Sequence, residues 1–284
     1  MYLKGIYKMS KNNNNLKLVV FVARSHIGST LTVNHLINSG INIEAIIKSR
    51  NFVGKSKLKS ITTSLRIMGW RRSLYYLFVA AYMKIKFKYA RLLTLFGRRQ
   101  KIITYNQIKK RYSIPIIKTK DINSAESIRK IKKLQPDIVL VCYFNQILKK
   151  EVINIPKYGC FNIHPSLVQN YRGLNNYFWV LANNETITGV TTHKIDEGID
   201  TGQIVAQKEI DIGKDDTEFG LLIKISKEGA KLFVDSIDNI KEGRFSVSDT
   251  SKSKYYSLPT RKVYNRFLRL GRKVFKINDF DGLF

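Results

Sequence analysis

The amino-acid sequence predicts an α/β protein with an open, mostly parallel sheet. Short apolar runs rich in β-branched residues alternate with segments of helical periodicity along most of the chain. The first two runs are joined by a turn and a helix, which is how an open α/β sheet begins. With 284 residues, of which 44% are hydrophobic, the chain has enough apolar material for a substantial core.

The first strand–helix–strand unit is predicted within residues 16–47. Residues 16–23 are apolar and β-branched and predict a buried first strand. A helical pattern follows the Gly28-Ser29 turn and closes at Ser39-Gly40. Residues 41–47 then predict the second strand.

Residues 48–120 differ from the rest of the chain in charge. They contain 20 Lys or Arg residues, and no Asp or Glu lies between Glu44 and Asp121. Large aromatic and aliphatic residues are mixed with these cations. Because this stretch does not continue the strand pattern, it predicts a basic helical insertion at about residues 53–104.

The α/β pattern resumes after this insertion. The predicted strands are residues 114–117, 137–143, 159–164, 189–195 and 204–210, and the predicted helices are residues 125–134, 147–153 and 217–236. The chain is therefore divided into a polar N-terminal extension at residues 1–15, a principal domain at 16–245 and a short C-terminal appendage at 246–284.

The charge and the cysteine content limit which partners and which cellular compartment are expected. The formal net charge of +29 favours phosphorylated substrates, nucleic acid or an acidic membrane surface, and a general bias toward Lys, Asn and Ile explains it equally well. Cys142 and Cys160 have neither metal-ligand nor disulfide spacing, which predicts reduced thiols in a cytoplasmic protein. The longest strongly apolar run, residues 74–83, is too short to span a membrane.

The residues that carry chemistry lie between positions 159 and 202. Strand alternation puts Asn162 and His164 on one face at the carboxyl end of a strand, where open α/β sheets bind ligands. A His there shuttles protons near neutral pH, and an Asn amide donates to a developing oxyanion. Asp200, on a Gly-flanked loop, can orient the His or handle protons itself. Acyl transfer to an amine needs this set of groups.

Three motifs, in this order and at this spacing, resemble the folate-dependent formyltransferase family. They are NIHPSL at residues 162–167, YRG at 171–173 and DEGIDTG at 196–202. The resemblance is close over residues 115–212 and looser over the first strand–helix–strand unit. It implies a Rossmann-like formyltransferase fold, with residues 16–245 as the catalytic domain. The implied activity moves a formyl group from 10-formyl-tetrahydrofolate, a co-substrate, to a primary amine.

The resemblance also implies roles for individual residues. Asn162 and protonated His164 would stabilise the oxyanion, and Asp200 would raise the basicity of His164 and assist proton transfer, with no metal. Folate would be bound mainly through backbone groups at two loops, although His193 beside the second loop is equally well explained as a strand residue without a role. The matching positions are Tyr143, Phe144, Asn145, Gln146, Ile147, Leu148, Lys194, Ile195, Asp196, Glu197 and Gly198.

Two further places are candidates for contact with the acceptor. Ser166, Arg172 and Gly173 follow the catalytic strand and are expected on the acceptor side. Gly28-Ser29 opens a helix after the first strand, where backbone amides can bind a phosphate. The alternative is a plain helix N-cap by Ser25 or Ser29.

Three acceptors fit the family. The size and short appendage favour a nucleotide-activated aminosugar or a similar small amine. The charge favours methionyl-tRNA, because phosphate contacts dominate tRNA affinity. Glycinamide ribonucleotide is the third acceptor, although its enzyme is a compact domain without a basic insertion. A folate- or nucleotide-binding protein on the same scaffold, or a peripheral membrane protein, is the non-enzyme alternative, which the presence of Asn162, His164 and Asp200 argues against.

The basic aromatic segment at residues 55–101 departs from all three kinds of enzyme. One hypothesis is a peripheral patch that lies on anionic lipid at the inner membrane face. A second is an arm that binds tRNA or a nucleotide. A third is a helical hairpin that packs on the sheet and merely solvates its lysines. A second copy of the chain, forming a homodimer, is a further possible partner.

Overall fold

The computed structural model describes residues 16–24, 26–50, 69–93, 96, 100–247, 249, 253–281 and 283. The predicted N-terminal extension, Ser25 and residues 53–68 of the predicted insertion lie outside these described residues. The fold below therefore concerns the predicted principal domain, the helical part of the insertion and most of the C-terminal appendage.

A seven-stranded sheet forms the centre of the molecule. Its strands are β1 (Leu18–Ala23), β2 (Ile43–Ser49), β3 (Ile116–Thr119), β4 (Ile138–Cys142), β5 (Gly159–His164), β7 (Ile187–Lys194) and β8 (Ile204–Asp211), in the order β3-β2-β1-β4-β5-β7-β8. The first five are parallel, and β7 and β8 add antiparallel at one edge. The predicted open, mostly parallel sheet is confirmed. Two short strands, β6 (Tyr171–Gly173) and β9 (Lys254–Tyr256), form a separate parallel pair.

Helices cover this sheet. They are α1 (Ile27–Asn38), α2 (Trp70–Leu93), α3 (Tyr105–Tyr112), α4 (Ala125–Leu134), α5 (Lys150–Ile153), α6 (Asn176–Ala182), α7 (Glu218–Asp235), α8 (Ile237–Lys241) and α9 (Arg261–Arg269), with a 3₁₀ turn at Ile277–Phe280. The helix predicted over residues 147–153 is confined to α5. Side-chain hydrogen bonds cap the N-termini of two of these helices. Thr104 and Gln107 form a capping box at α3, and the Thr217 side chain accepts from the amide of Gly220 at α7.

The central strands are buried on both faces, which explains their continuous apolar runs. Val20 and Val22 face the larger apolar cluster, against which α1 and α7 pack, whereas Val19 and Phe21 face a second cluster with Ile131 of α4. The sheet is thus the middle layer of three, and its strand ends are the natural place for a site.

Helix α2 is the described part of the basic insertion. It packs against the C-terminal residues and the start of α7, and its Val79 and Met83 join the larger apolar cluster. The hairpin hypothesis falls partly on residues 53–68, outside the described part of the chain. The ring of Phe78 stacks on Phe275 at 5.3 Å between centroids, and Tyr82 lies 4.6 Å from Phe280. Since Phe280 belongs to the larger core cluster, the C-terminal appendage completes the core of the principal domain. Within the described ranges, no helix is both long enough and apolar enough to cross a membrane.

Candidate active site

Strand β5 carries two polar side chains on one face. Asn162 and His164 alternate with the buried Phe161 and Ile163, so both project from the opposite side of the sheet. The antiparallel neighbour β7 places His193 directly opposite Asn162 in the register. Three polar side chains therefore meet near the carboxyl end of β5.

The loop between β7 and β8 brings Asp200 to these residues. Asp200 adopts a left-handed backbone with φ of 54°, a conformation that Asp tolerates better than most residues. Its Oδ1 lies 3.4 Å from Nδ1 of His164, 3.6 Å from Nε2 of His193 and 3.5 Å from Nδ2 of Asn162. The three predicted catalytic residues therefore lie together, with Asn162 and His164 both next to Oδ1 of Asp200. Their roles in catalysis remain predictions.

The second oxygen of Asp200 is held by the backbone. The amide of Gly173 donates to Oδ2 at 2.9 Å. Gly173 has a φ of 96°, and a Cβ there would lie 2.3 Å from the carbonyl oxygen of Tyr256. The YRG motif therefore needs a glycine so that its amide can reach Asp200 beneath strand β9.

The other nitrogen of His164 points into the protein. Nε2 lies 2.7 Å from the carbonyl oxygen of Tyr171 and 2.7 Å from the side-chain amide of Asn176. Ser166, predicted to face the acceptor, is fully buried and donates its hydroxyl to the same Tyr171 carbonyl at 2.7 Å. Ser166 and Asn176 therefore support His164 from behind, on the side away from Asp200.

The electrostatics favour a charged His164–Asp200 pair. Burial acts to lower the pKa of His164, but the charge and hydrogen bond of Asp200 and the Tyr171 carbonyl outweigh it, so the pKa is raised above its ordinary value. Burial acts to raise the pKa of Asp200, yet the charge and hydrogen bond of His164 hold that pKa well below its usual range. An imidazolium, with both ring nitrogens donating, fits the contacts to Asp200 and to the Tyr171 carbonyl. It requires Asn176 to present its amide oxygen, which otherwise has no partner among the described residues, to Nε2.

His193 belongs to the site, a position that reasoning from the sequence had left without a role. Its Nδ1 lies 2.9 Å from the carbonyl of Lys194, which requires a proton on Nδ1. Its Nε2 lies 3.2 Å from Nδ2 of Asn162 and is then free to accept from that amide. The signal in the sequence was its position at the end of the strand that leads to Asp200.

The two predicted folate loops lie on either side of this cluster. Residues 143–148 follow β4, and residues 194–198 follow β7, while Lys150 and Glu197 approach to 3.8 Å between them. Further hydrogen bonds hold each loop in place. Gln146 bonds the amide of Ile122 and the carbonyl of Lys120, and Asp196 accepts from Gly198 and Thr201.

Four of the residues predicted in these loops pack within the protein, whereas Ile147 and residues 196–198 are exposed. Phe144 lies 5.6 Å from Phe21 between ring centroids, Leu148 is buried, and Ile195 donates its amide to Cys160. The Lys194 ammonium lies 5.5 Å from the ring of Phe245. The side chain of Ile147 is 67% exposed.

One atom in the first loop fits a ligand. Oδ1 of Asn145 is buried and has no hydrogen-bond partner among the described residues. A buried amide oxygen without a donor is costly, so a ligand N–H donor would be favoured there.

The turn at Gly28-Ser29 is covered by aromatic rings. A Cβ on Gly28 would lie 2.8 Å from the ring of Tyr143, which stacks on His26 at 4.5 Å. Ser29 does not cap α1, because the N-cap is His26 and the Ser29 hydroxyl donates to the carbonyl of Cys142. Burial lowers the pKa of His26 to about 4, so this imidazole supplies no positive charge near neutral pH.

Arg172 reaches the C-terminal segment. Its Nη2 donates to the carbonyl of Ser253 at 3.4 Å, and its buried Nε has no partner among the described residues. This guanidinium is held by the same strand pair that fixes Gly173, on the side where the acceptor was expected.

A metal ligand set is also present. The ligand atoms of His164, His193 and Asp200 lie within 4.8 Å of one another. The raised pKa of His164 works against metal binding, because a protonated imidazole cannot ligate. Catalysis without a metal accordingly remains our prediction.

The geometry can now be compared with known proteins. A family model described as formyl transferase matches residues 92–237, just over half of the chain. The chain belongs to the formyl transferase family. The matched residues include Asn162, His164, His193 and Asp200, so the cluster lies within the part of the chain that defines the family.

The curated relatives match about half of the chain. The methionyl-tRNA formyltransferase of Thermodesulfovibrio yellowstonii is 43% identical over 130 residues, which are 46% of this chain and 42% of the relative. That of Agathobacter rectalis is 36% identical over 148 residues, 51% of this chain and 48% of the relative. The aligned region thus spans about half the length of these relatives.

Solved structures extend the likeness to most of the fold. An N-formyltransferase from Helicobacter canadensis, in complex with folinic acid and dTDP-3-aminofucose, has a TM-score of 0.53 at 20% identity, covering 86% of this chain and 71% of that one. Phosphoribosylglycinamide formyltransferase from Anaplasma phagocytophilum has a TM-score of 0.53 at 16% identity, covering 85% and 99%. At these identities the likeness establishes the formyltransferase fold.

Proposed function

We propose that the chain transfers a formyl group from 10-formyl-tetrahydrofolate to a primary amine on a small, nucleotide-linked aminosugar. The observation that carries the reaction is the convergence of Asn162, His164 and His193 on Oδ1 of Asp200. The folate supplies an activated formyl group when bound. The residues of the chain supply charge stabilisation and orientation.

In this proposal His164 is the electrostatic centre of the site. As the amine adds to the formyl carbon, negative charge develops on the formyl oxygen, and an imidazolium together with the Asn162 amide stabilises it. The bond from the formyl carbon to the folate nitrogen then breaks, and the proton that the amine loses passes to this nitrogen as tetrahydrofolate leaves. Asp200 keeps His164 protonated by its charge and hydrogen bond. Because the pKa of Asp200 is held low, Asp200 is better suited to this electrostatic role than to retaining a proton itself.

We assign the folate to the loops at residues 143–148 and 194–198. The unpartnered buried oxygen of Asn145 fits the N–H groups of a pterin, and the backbone of the second loop leads directly to Asp200. Both loops adjoin the face that carries Asn162 and His164, so a donor bound there has its reacting end beside the cluster.

The packing of the C-terminal segment supports a compact acceptor. Strand β9 pairs with β6, and the Tyr256 ring stacks on Tyr171 at 4.8 Å and lies 4.7 Å from Trp179. This segment walls the YRG motif on the acceptor side. The Helicobacter canadensis structure holds a dTDP-linked aminosugar on the same fold, so an acceptor of this class is compatible with it.

Methionyl-tRNA is the second candidate acceptor. The observation in its favour is the 43% identity to a methionyl-tRNA formyltransferase across the catalytic core, together with the net charge of +29. Glycinamide ribonucleotide is a further alternative, for which the turn at Gly28-Ser29 offers little, because Tyr143 covers it.

One assay tests the reaction and the acceptor together. The full chain is incubated with 10-formyl-tetrahydrofolate and UDP- or dTDP-linked aminosugars, methionyl-tRNA or glycinamide ribonucleotide, and tetrahydrofolate release is followed. We expect turnover with an aminosugar and none in the His164→Ala control. Turnover with methionyl-tRNA alone would replace the acceptor but keep the reaction. Folate binding without turnover on any amine would contradict the proposed function.

A further inference from the structure

Helix α2 is apolar on two opposite sides. On its inner side, Val79, Met83 and Ala90 are buried against the rest of the molecule. On its outer side six large apolar residues are between 52% and 64% exposed, and we call them the outer stripe: Trp70, Leu74, Leu77, Ile85, Tyr89 and Leu92. A surface helix ordinarily places polar residues on its outer face, so this stripe needs a separate explanation.

The spacing makes the outer stripe continuous. Its members follow one another by three, four or eight residues, which places them along one line of an α-helix. The inner contacts fix the direction in which this line faces. Arg72 bonds Glu218 at 2.8 Å, and its guanidinium carbon lies 3.8 Å from the ring centre of Phe178.

Cations lie beside this stripe on α2, and the helix itself carries no acidic residue. Lys84 and Lys88 are exposed on the same side of α2, one turn apart. The sequence contains no Asp or Glu between Glu44 and Asp121. The surface is therefore apolar along its centre and positive at its margin.

We propose that the outer stripe docks on the surface of an anionic lipid bilayer. Aliphatic and aromatic side chains on an in-plane helix insert at the boundary of the headgroups and acyl chains, and lysines beside them bind anionic headgroups. This inference does not depend on the identity of the acceptor or on catalysis. It assigns the interaction to α2, within the broader basic segment noted in the sequence.

Other occupants fit the stripe less well. A second copy would bring another chain of net charge +29 against a helix without acidic residues, so the two margins would repel each other. A nucleic acid would contact Lys84 and Lys88 but would leave Leu74, Leu77 and Ile85 without apolar partners. The lipid surface matches both the charge and the apolar line.

The test uses the full chain and vesicles of phosphatidylcholine, with or without 30% (about one lipid in three) phosphatidylglycerol, at physiological ionic strength. Binding is measured by co-sedimentation, and insertion by quenching of Trp70 fluorescence with brominated lipids in a Trp179→Phe background, because Trp179 is the other tryptophan of the chain. Trp70 is 57% exposed, so it reports directly on the stripe. We expect binding and quenching with the anionic vesicles only.

Two variants and two matched controls decide the assignment. Lys84→Gln with Lys88→Gln should weaken binding about 25-fold, since one cation at the surface contributes about fivefold. Leu77→Gln with Ile85→Gln should weaken it at least about tenfold and abolish quenching. Lys132→Gln with Lys133→Gln removes equal charge from α4 and should change binding only about twofold; Ile187→Gln with Ile277→Gln is the apolar control.

Three outcomes would overturn the proposal. The first is equal loss of binding in the α4 control, which would mean a general charge effect. The second is a concentration-dependent dimer that Leu77→Gln disrupts, which would make a second copy the occupant. The third is binding to tRNA, but not to vesicles, that the Leu77→Gln with Ile85→Gln variant retains. Because each measurement is made on binding, failure of formyl transfer does not affect the result.

Discussion

Two buried ion pairs in this molecule, His164 with Asp200 and Arg72 with Glu218, have different surroundings. At the first pair, both carboxylate oxygens and both imidazole nitrogens have polar neighbours within 3.6 Å. At the second, Nη2 of Arg72 bonds Glu218 at 2.8 Å, while Nε and Nη1 of Arg72 and Oε2 of Glu218 have no partner among the described residues. Every charged-group atom of the first pair has a polar neighbour, whereas three such atoms of the second pair have none among the described residues.

The difference indicates different tasks. The pKa of Asp200 is held low and that of His164 is raised, so the charged form of the first pair is favoured and its imidazole remains titratable. Burial acts to lower the pKa of Arg72, but Glu218 and Tyr76 outweigh it and hold this pKa above its ordinary value. Arg72 therefore never loses its proton under working conditions, and it serves as an anchor for α2.

The largest expected effect is on catalysis. His164→Ala and Asp200→Asn should each lower kcat about a thousandfold, because each removes charge stabilisation from the transition state. His35→Gln on α1 is the matched histidine control and should stay within about twofold of wild type in the tetrahydrofolate-release assay. A His164→Ala enzyme with more than about a tenth of the wild-type rate would remove His164 from the mechanism.

At the other pair the effect should be on stability. Arg72→Met leaves Glu218 charged and buried, and we expect it to lower the free energy of unfolding by about 3–5 kcal/mol. Adding Glu218→Leu should restore most of this loss. Lys208→Met, which breaks a half-exposed pair with Glu228, is the control and should cost under about 1 kcal/mol in urea titrations. Equal losses for Arg72→Met and Lys208→Met would show that burial makes no difference.

The pH dependence separates the pairs further. With a raised pKa, His164 stays protonated through pH 6.5, and activity that needs the imidazolium should fall only as pH rises through this raised value. In Asp200→Asn burial is opposed only by the Tyr171 carbonyl, so the pKa of His164 should fall and the alkaline limb should move to lower pH. NMR titration of the His164 ring measures this directly. An unchanged pKa in the variant would contradict the electrostatic role of Asp200.

The stability that the His164–Asp200 pair contributes has the same origin. It is present above the ordinary pKa of Asp and below that of His, and it is lost as pH falls through the low Asp200 pKa or rises through the raised His164 pKa. The stability that the Arg72–Glu218 pair contributes should not be lost at alkaline pH, because Arg72 keeps its proton.

The smallest effect should come from His193. His193→Leu removes the acceptor that orients the Asn162 amide, and we expect about a tenfold loss in kcat with little change in KM. His193→Gln keeps a side-chain acceptor and should recover part of the rate. Equal losses in the two variants would favour a packing role for His193 instead.

The sheet was largely predictable from the sequence. Buried parallel strands are continuous apolar runs, so the predicted strand at residues 159–164 matches β5, and the predicted strand at 137–143 brackets β4. Strand alternation also predicted that Asn162 and His164 share a face. These features depend on local periodicity, which a sequence displays directly.

The contacts between distant segments were not predictable in the same way. The Arg72–Glu218 pair joins residues 146 positions apart, and neither residue stands in a motif. Strands β6 and β9 have three residues each, too few to show a period. A histidine in a strand shows no sign of its register partner, so the sequence left the role of His193 open. Ser166 was expected on the acceptor side and is instead buried against the Tyr171 carbonyl, because the motif does not reveal which way a hydroxyl points.

The pairing of β6 with β9 has a consequence for synthesis on the ribosome. The Gly173 amide that holds Asp200 lies in β6, whose pairing partner is Tyr256. A further eighty or so residues must be translated after Gly173 before that strand pair can form, which takes several seconds at roughly 5–20 residues per second. Until then the catalytic strand can fold while the YRG motif lacks its neighbour. Assembly of the site is therefore expected to be among the last steps in the synthesis and folding of the protein.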